Sequence, residues 1–198
     1  MAGMTEARMS TRRAILLGGG AAMLLAGCSG AQKPERANDV AGLEAALLAL
    51  GPDVDRAEAA RAARLAYAVS DDLRREYQIT DAPLVHNTKV NIGLKPRGLC
   101  YHWARDIQTR MTQAGFATLQ FNGVVANAEN PFWLEHSSAV VHLRGGAWQD
   151  GIVLDPWRTG GYLHWAKVRE DTKYPWKLRS DVPIRKEGAS LRTARANP

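Results

Sequence analysis

The sequence predicts an α+β fold, and three observations carry that expectation. Helical spacing of apolar residues is concentrated before Gly115, strand-forming runs follow it, and two of those runs flank a Gly-Gly pair that suits a hairpin. A length of 198 residues without an internal repeat points to one domain rather than two. Hydrophobic content of 45% and charged content of 23% are ordinary for a globular chain and sufficient for a packed core.

Residues 43–50 read as a short apolar helix ended by Gly51-Pro52. Asp53 then offers an N-cap for a longer helix over about 54–77, in which Leu65, Val69, Leu73 and Tyr77 recur at intervals of four. That stripe faces a core, and the alanine-rich first half suits close packing. Residues 78–99, with their prolines and short apolar pieces, read as an irregular connection. Pro96 and Gly98 keep any upstream helix from reaching Cys100. Downstream, Trp103, Ile107, Met111 and Ala114 recur at helical spacing and Gly115 closes the run, so Cys100 sits at or just before a helix's first turn.

After Gly115 the period changes. Residues 116–125, 137–143 and 152–154 are rich in strand formers, with a polar loop at 127–131 between the first two. Beyond Pro156, Trp157, Tyr162, Trp165, Tyr174 and Trp176 stand in a loop-rich segment. From Ser180 the chain carries few apolar residues and reads as a flexible basic tail. The expected domain therefore spans 40–179.

The N-terminus reads as an export signal over 1–27. Arg12-Arg13 precede an apolar run over 14–26, shorter than the roughly 20 residues a membrane-crossing helix needs and weakened by its glycines. Leu25-Ala26-Gly27-Cys28 resembles the lipobox of bacterial lipoproteins, which implies lipidation of Cys28 and cleavage just before it. Ser10-Thr11-Arg12-Arg13-Ala14-Ile15-Leu16 looks like a twin-arginine signal, with Ala14-Ile15 an imperfect version of that motif. Residues 28–39 then form a small, polar tether. The resemblance implies a lipid-anchored envelope protein facing the periplasm, and Ser29 after the lipidated residue favours the outer membrane.

Charge excludes one class of partner. Of the net +6, two charges belong to residues 1–27, leaving about +4, and no Lys/Arg run beyond Arg185-Lys186 marks a nucleic-acid surface. No residue pattern calls for a cofactor or a metal.

The cysteine count sharpens the search for a site. With Cys28 claimed by lipid, Cys100 is the remaining thiol of an exported chain, which needs a reason to persist in an oxidising compartment. A helix start can stabilise a thiolate, and a histidine base would complete the activation. His102 is adjacent, but residues two apart on a helix point away from each other. His86 and His164 lie in loop-like segments that do not aim them. His136 opens a strand, where the backbone is rigid. His142, six residues on, is roughly 20 Å away at about 3.3 Å per residue, so His136 and His142 do not form a zinc pair.

Asp155 offers the third group, one that holds the base's other nitrogen. If Gly145-Gly146 is a two-residue turn, His136 and Asp155 face each other, with Cβ atoms about 4.5–5.5 Å apart. If residues 145–151 form a longer loop, the register moves by several residues. The turn decides between them.

Cys at a helix start, His at a strand start and Asp ending the next strand resemble the transglutaminase-like branch of the papain-like cysteine fold. Gly98-Leu99-Cys100-Tyr101-His102-Trp103 is similar to its nucleophile segment and Leu154-Asp155-Pro156-Trp157 to its aspartate-proline strand end, while the His136–Val141 form departs from the commoner His-Ala-Trp. The resemblance covers roughly 94–165. It implies N-terminal helices with the nucleophile at a helix start, packed on a small antiparallel sheet. It also implies Cys100 as nucleophile, His136 as base and acid, Asp155 as orienter, and acyl chemistry through a thioester, resolved by water or an amine.

An oxyanion hole would use the Cys100 backbone N–H and one side-chain donor, with Asn87, Asn91 and Tyr77 as candidates. Glu135 either tunes His136 or is a solvated strand-end acid. The six tryptophans either line an aromatic groove or fill the core. The expected function is a cysteine hydrolase or acyltransferase acting on an amide bond of a protein or peptidoglycan peptide. The alternative is an inactive copy of the same fold that binds an envelope protein or glycan.

Overall fold

Asp39 opens the first helix, at the edge of the residues that the computed structural model describes, 39–130 and 132–183. The expected signal, Cys28 with its lipid, the tether through residue 38 and the tail from 184 lie outside the described residues. The Asp39 carboxylate accepts the Gly42 N–H at 2.9 Å and caps α1 (Val40–Leu48), so this residue belongs to the domain rather than to a tether. Leu43 and Leu47 are the residues of α1 that enter the core.

Helix α2 (Arg56–Glu76) starts two residues later than its sequence suggests. Asp55, not Asp53, is its cap, accepting the Glu58 N–H at 2.8 Å. The reason lies outside the helix. Val54 is drawn into the core, and Glu58 reaches across to accept the N–H groups of Ala117 and Thr118. Val69, Leu73 and Tyr77 of the expected stripe are buried, together with Ala59, Ala62, Ala63 and Ala66.

The irregular connection expected at 78–99 contains a helix, α3 (Pro83–Asn91). Pro83 stands where a helix tolerates proline, at the start. Periodicity gives no sign of it, because its one buried residue is His86 while Leu84 and Val85 face outward. Helix α4 (Cys100–Gln113) follows the expected pattern. Trp103, Ile107 and Met111 are buried, and Gly115 takes the left-handed conformation, φ +66°, just past its end.

The sheet has five strands, β1 (Leu119–Ala126), β2 (His136–Leu143), β3 (Ile152–Leu154), β4 (Trp165–Lys167) and β5 (Lys177–Leu178). Their order is β4-β3-β2-β1-β5, and every neighbouring pair is antiparallel. The described residues thus form an α+β fold, with four helices and a small antiparallel sheet. Strands β4 and β5 fall in the segment expected as loop, being too short to carry a period. Beyond the expected boundary at 179, Val182 is still buried, against Val125 and Ala128.

One face of the sheet packs on the helices through Ala139, Val141, Ile152 and Leu154. The other face, with Val124, Val140 and Val153, is closed by Trp176 and flanked by Trp148, Val168 and Tyr174. Burial on both sides explains why β2 shows no polar–apolar alternation.

The two-residue turn at Gly145-Gly146 is not used. The chain runs instead through a longer loop containing a 3-10 turn at Trp148–Asp150, and β2 pairs with β3 as Ala139 opposite Leu154. Continued by one position, that register sets Asp155 opposite Ser138, two residues from the arrangement the short turn would impose. An offset of two returns side chains to the same face, so His136 and Asp155 remain diagonal neighbours.

Candidate active site

The nucleophile candidate follows a segment that is held on several sides. Gly98 has φ +123°, and a Cβ there would lie 2.4 Å from His86 Nε2, so only glycine fits. Its carbonyl accepts the Trp103 indole N–H at 3.1 Å, and the Arg97 carbonyl accepts His86 Nε2–H at 2.9 Å. His102 Nδ1 accepts the N–H groups of Gly98 and Leu99 at 3.2 and 3.3 Å. Burial first, then the positive charges of Arg97 and Arg105, lower the His102 pKa to about 4, leaving the neutral ring these contacts require. His102 thus braces the turn into α4.

Cys100 occupies the first position of α4 and is half-buried. Its thiol donates to the Glu135 carbonyl at 3.8 Å. The residue after Glu135 is His136, whose Nε2–H donates to Asp155 Oδ2 at 2.7 Å, both residues being 1% exposed. The other ring nitrogen, Nδ1, is buried and has no hydrogen-bond partner among the described residues. Cys100 nonetheless acts on the imidazole and helps raise its pKa. Hydrogen bonds between a nucleophile and its base are often loose in unliganded sites.

Electrostatics make His136 a cation at neutral pH. Burial pulls its pKa down, but the charge and hydrogen bond of Asp155, with a contribution from Cys100, outweigh it and raise the value to about 9. Burial likewise opposes ionisation of Asp155, yet His136 and then Arg158 hold its pKa below 3.8.

Three aromatic rings surround the imidazole, Trp157 at 4.6 Å, Tyr174 at 4.5 Å and Trp176 at 5.4 Å between ring centres. Trp103, Trp157, Trp165 and Trp176 are all buried, so these four belong to the core rather than to an open groove. Trp133 is exposed, in a stretch with Phe132 and Leu134 immediately before Glu135.

The three oxyanion candidates separate clearly. Tyr77 is buried, with its hydroxyl donating to Asp106 at 2.6 Å, so its donor is already committed. Asn91 is exposed at the end of α3. Asn87 is half-buried and accepts the Trp157 indole N–H at 3.1 Å, which ties it to the ring beside His136. The Glu135 carboxylate pairs with Arg179 Nη1 at 2.8 Å, and its carbonyl, not its charge, meets Cys100. The His142 ring lies 2.7 Å from Asn122 Oδ1 and has separate partners from His136. Among the described residues no group of three or more His, Cys, Asp or Glu is arranged to hold a metal, and no helix is long and apolar enough to cross a membrane.

Sequence reading missed two charged residues. Arg158 and Asp171 stand behind Asp155, with Arg158 Nε 3.1 Å from Asp155 Oδ2 and its Nη atoms 3.1 and 2.7 Å from the Asp171 oxygens. The spacing Asp155–Arg158 is a weak signal of one turn. Asp171 leaves none.

No family model matches the sequence, and neither a curated protein nor a solved structure matches it.

Proposed function

We propose that the protein is a lipid-anchored cell-envelope cysteine hydrolase or acyltransferase with a transglutaminase-like, papain-like fold. Its target is an amide bond of a protein or peptidoglycan peptide. The observation that carries this is the buried His136–Asp155 pair at 2.7 Å, with Nδ1 unpartnered among the described residues and Cys100, at the start of α4, acting on the same imidazole. Cys100 attacks the carbonyl as the thiolate. The oxyanion is taken by the Cys100 backbone N–H and Asn87, and His136 gives its Nδ1 proton to the departing amine. The resulting thioester is resolved by water or a second amine activated by the same nitrogen. Cys28 carries the lipid and sets the domain on the periplasmic side of the outer membrane.

Alkylation of the purified protein with iodoacetamide between pH 5 and 9 tests the nucleophile. Rapid modification well below about 8.5, where an ordinary thiol titrates, and its loss in His136→Ala are expected. Slow labelling unchanged by the substitution would sink the assignment. For the anchor, Cys28→Ala should release the protein from membranes, and retention through a carbonate wash would refute lipidation.

A second reading keeps the fold and drops the chemistry. The thiol donates to the Glu135 carbonyl, and Phe132, Trp133 and Leu134 stand exposed in the stretch just before Glu135. On this reading the chain binds an envelope protein or glycan through that apolar stretch, and the slow, unchanged labelling above is its expected result.

A further inference from the structure

The base of a cysteine site needs one acceptor, and Asp155 alone supplies it. Here the carboxylate is held on both oxygens by a single residue. The backbone N–H of Arg158 donates to Oδ1 at 3.3 Å, and its Nε–H donates at 3.1 Å to Oδ2, the oxygen that also receives His136. The carboxylate therefore cannot turn about its own axis without losing a partner.

The far side of the same guanidinium fixes a different part of the site. Nη1 and Nη2 grip Asp171 in a two-point contact, Asp171 Oδ2 accepts the Trp176 indole N–H at 3.0 Å, and Oδ1 accepts the Lys173 N–H at 3.4 Å. Between Lys173 and Trp176 stands Tyr174, whose ring centre lies 4.7 Å from Arg158 Cζ and 4.5 Å from the His136 ring. The chain that covers His136 and the carboxylate that holds it thus share one anchor. Side-chain exposures of 10% for Arg158 and 4% for Asp171 put that anchor out of bulk water, where charge-assisted contacts are strong.

We propose that Arg158 is a positioning residue of this site. Its guanidinium clamps Asp155 and, through Asp171, the 171–176 segment that covers His136, so that the imidazole is held in the one orientation that leaves Nδ1 open to Cys100. Lysine would supply the same charge without the fork, since a single ammonium cannot bridge two carboxylates with this geometry. The role rests on the proposed reading of Cys100 as nucleophile.

The groups facing His136 are Cys100 from α4, Asp155 after β3 and Tyr174 before β5. Behind them lie Arg158, Asp171 and His164, whose Nε2 is 3.2 Å from Arg158 Nη1, while Glu135 is paired with Arg179. With Arg158→Lys the total charge of this set is unchanged, so altered behaviour reports geometry.

The test is an imidazole NMR titration of His136 and the iodoacetamide rate at pH 6.5, in the full chain and in Arg158→Lys, Asp171→Asn and His136→Ala. Arg158→Lys is expected to lower the His136 pKa by at least about one pH unit and slow alkylation about tenfold or more. Asp171→Asn, which keeps an acceptor for Trp176, is expected to move both in the same direction by less. A folded Arg158→Lys protein with an unchanged His136 titration and an unchanged rate, altered only in melting temperature, would overturn the proposal. If that variant does not fold, Asp171→Asn decides by the same two readouts. An alkylation rate indifferent to His136→Ala would remove the nucleophile reading, while the NMR titration would still decide whether Arg158 positions the ring.

Discussion

At the scale of single residues, the site depends on groups with no spare freedom. Gly98 combines a positive φ with His86 Nε2 where a Cβ would go. Gly98→Ala is therefore expected to cost roughly 2–3 kcal/mol, from backbone strain and a displaced His86, read as a lower urea midpoint. Asp155→Asn removes the charge that outweighs burial at His136. The His136 pKa should fall below its ordinary 6.5, and thiol alkylation at pH 6.5 should slow about tenfold or more; an unchanged rate would separate Asp155 from the chemistry. The positions of Cys100, His136 and Asp155 were legible because local pattern marks where α4 and β2 begin and where β3 ends. Arg158 and Asp171 were not, since nothing local distinguishes a buried clamp from a solvated charge, and their meaning comes from each other.

Elements are joined by few but specific contacts. The start of α2 is tied to the approach to β1 by Glu58, which accepts the N–H groups of Ala117 and Thr118 at 2.6 and 2.7 Å and the Thr118 hydroxyl at 2.6 Å. Glu58→Ala leaves those donors unmatched and should cost about 1–3 kcal/mol in denaturant melts; a loss within about 0.5 kcal/mol would mean that water replaces it fully. The same contact, with Val54 drawn inward, explains the two-residue delay of the helix against its sequence cap. Helix α4 was legible from Trp103 to Gly115 because its apolar face meets the core. Helix α3 was not, because it buries a histidine and exposes its aliphatic residues.

For the whole molecule, stability should follow the charge state of the buried pair. The folded His136 pKa of about 9 lies above the ordinary 6.5, so the stabilisation it brings is complete below about 6.5 and is lost as the pH rises through 9. Asp155 is depressed below 3.8, so its contribution is present above that value and fades as the pH falls through its folded pKa. Urea midpoints should thus fall on the alkaline side by on the order of 3 kcal/mol. His136→Ala should flatten that fall, and an equal alkaline slope in both would refute the linkage. By itself the sequence determined the α+β class, the helix that begins at Cys100 and the strand that begins at His136, because periodicity, glycine and proline act over a few residues. Only the tertiary structure decided the loop length between β2 and β3, and with it the register that makes His136 and Asp155 diagonal rather than opposite neighbours. It alone also brought Arg158 and Asp171 behind them, since contacts between distant segments depend on how loops close and cores fill.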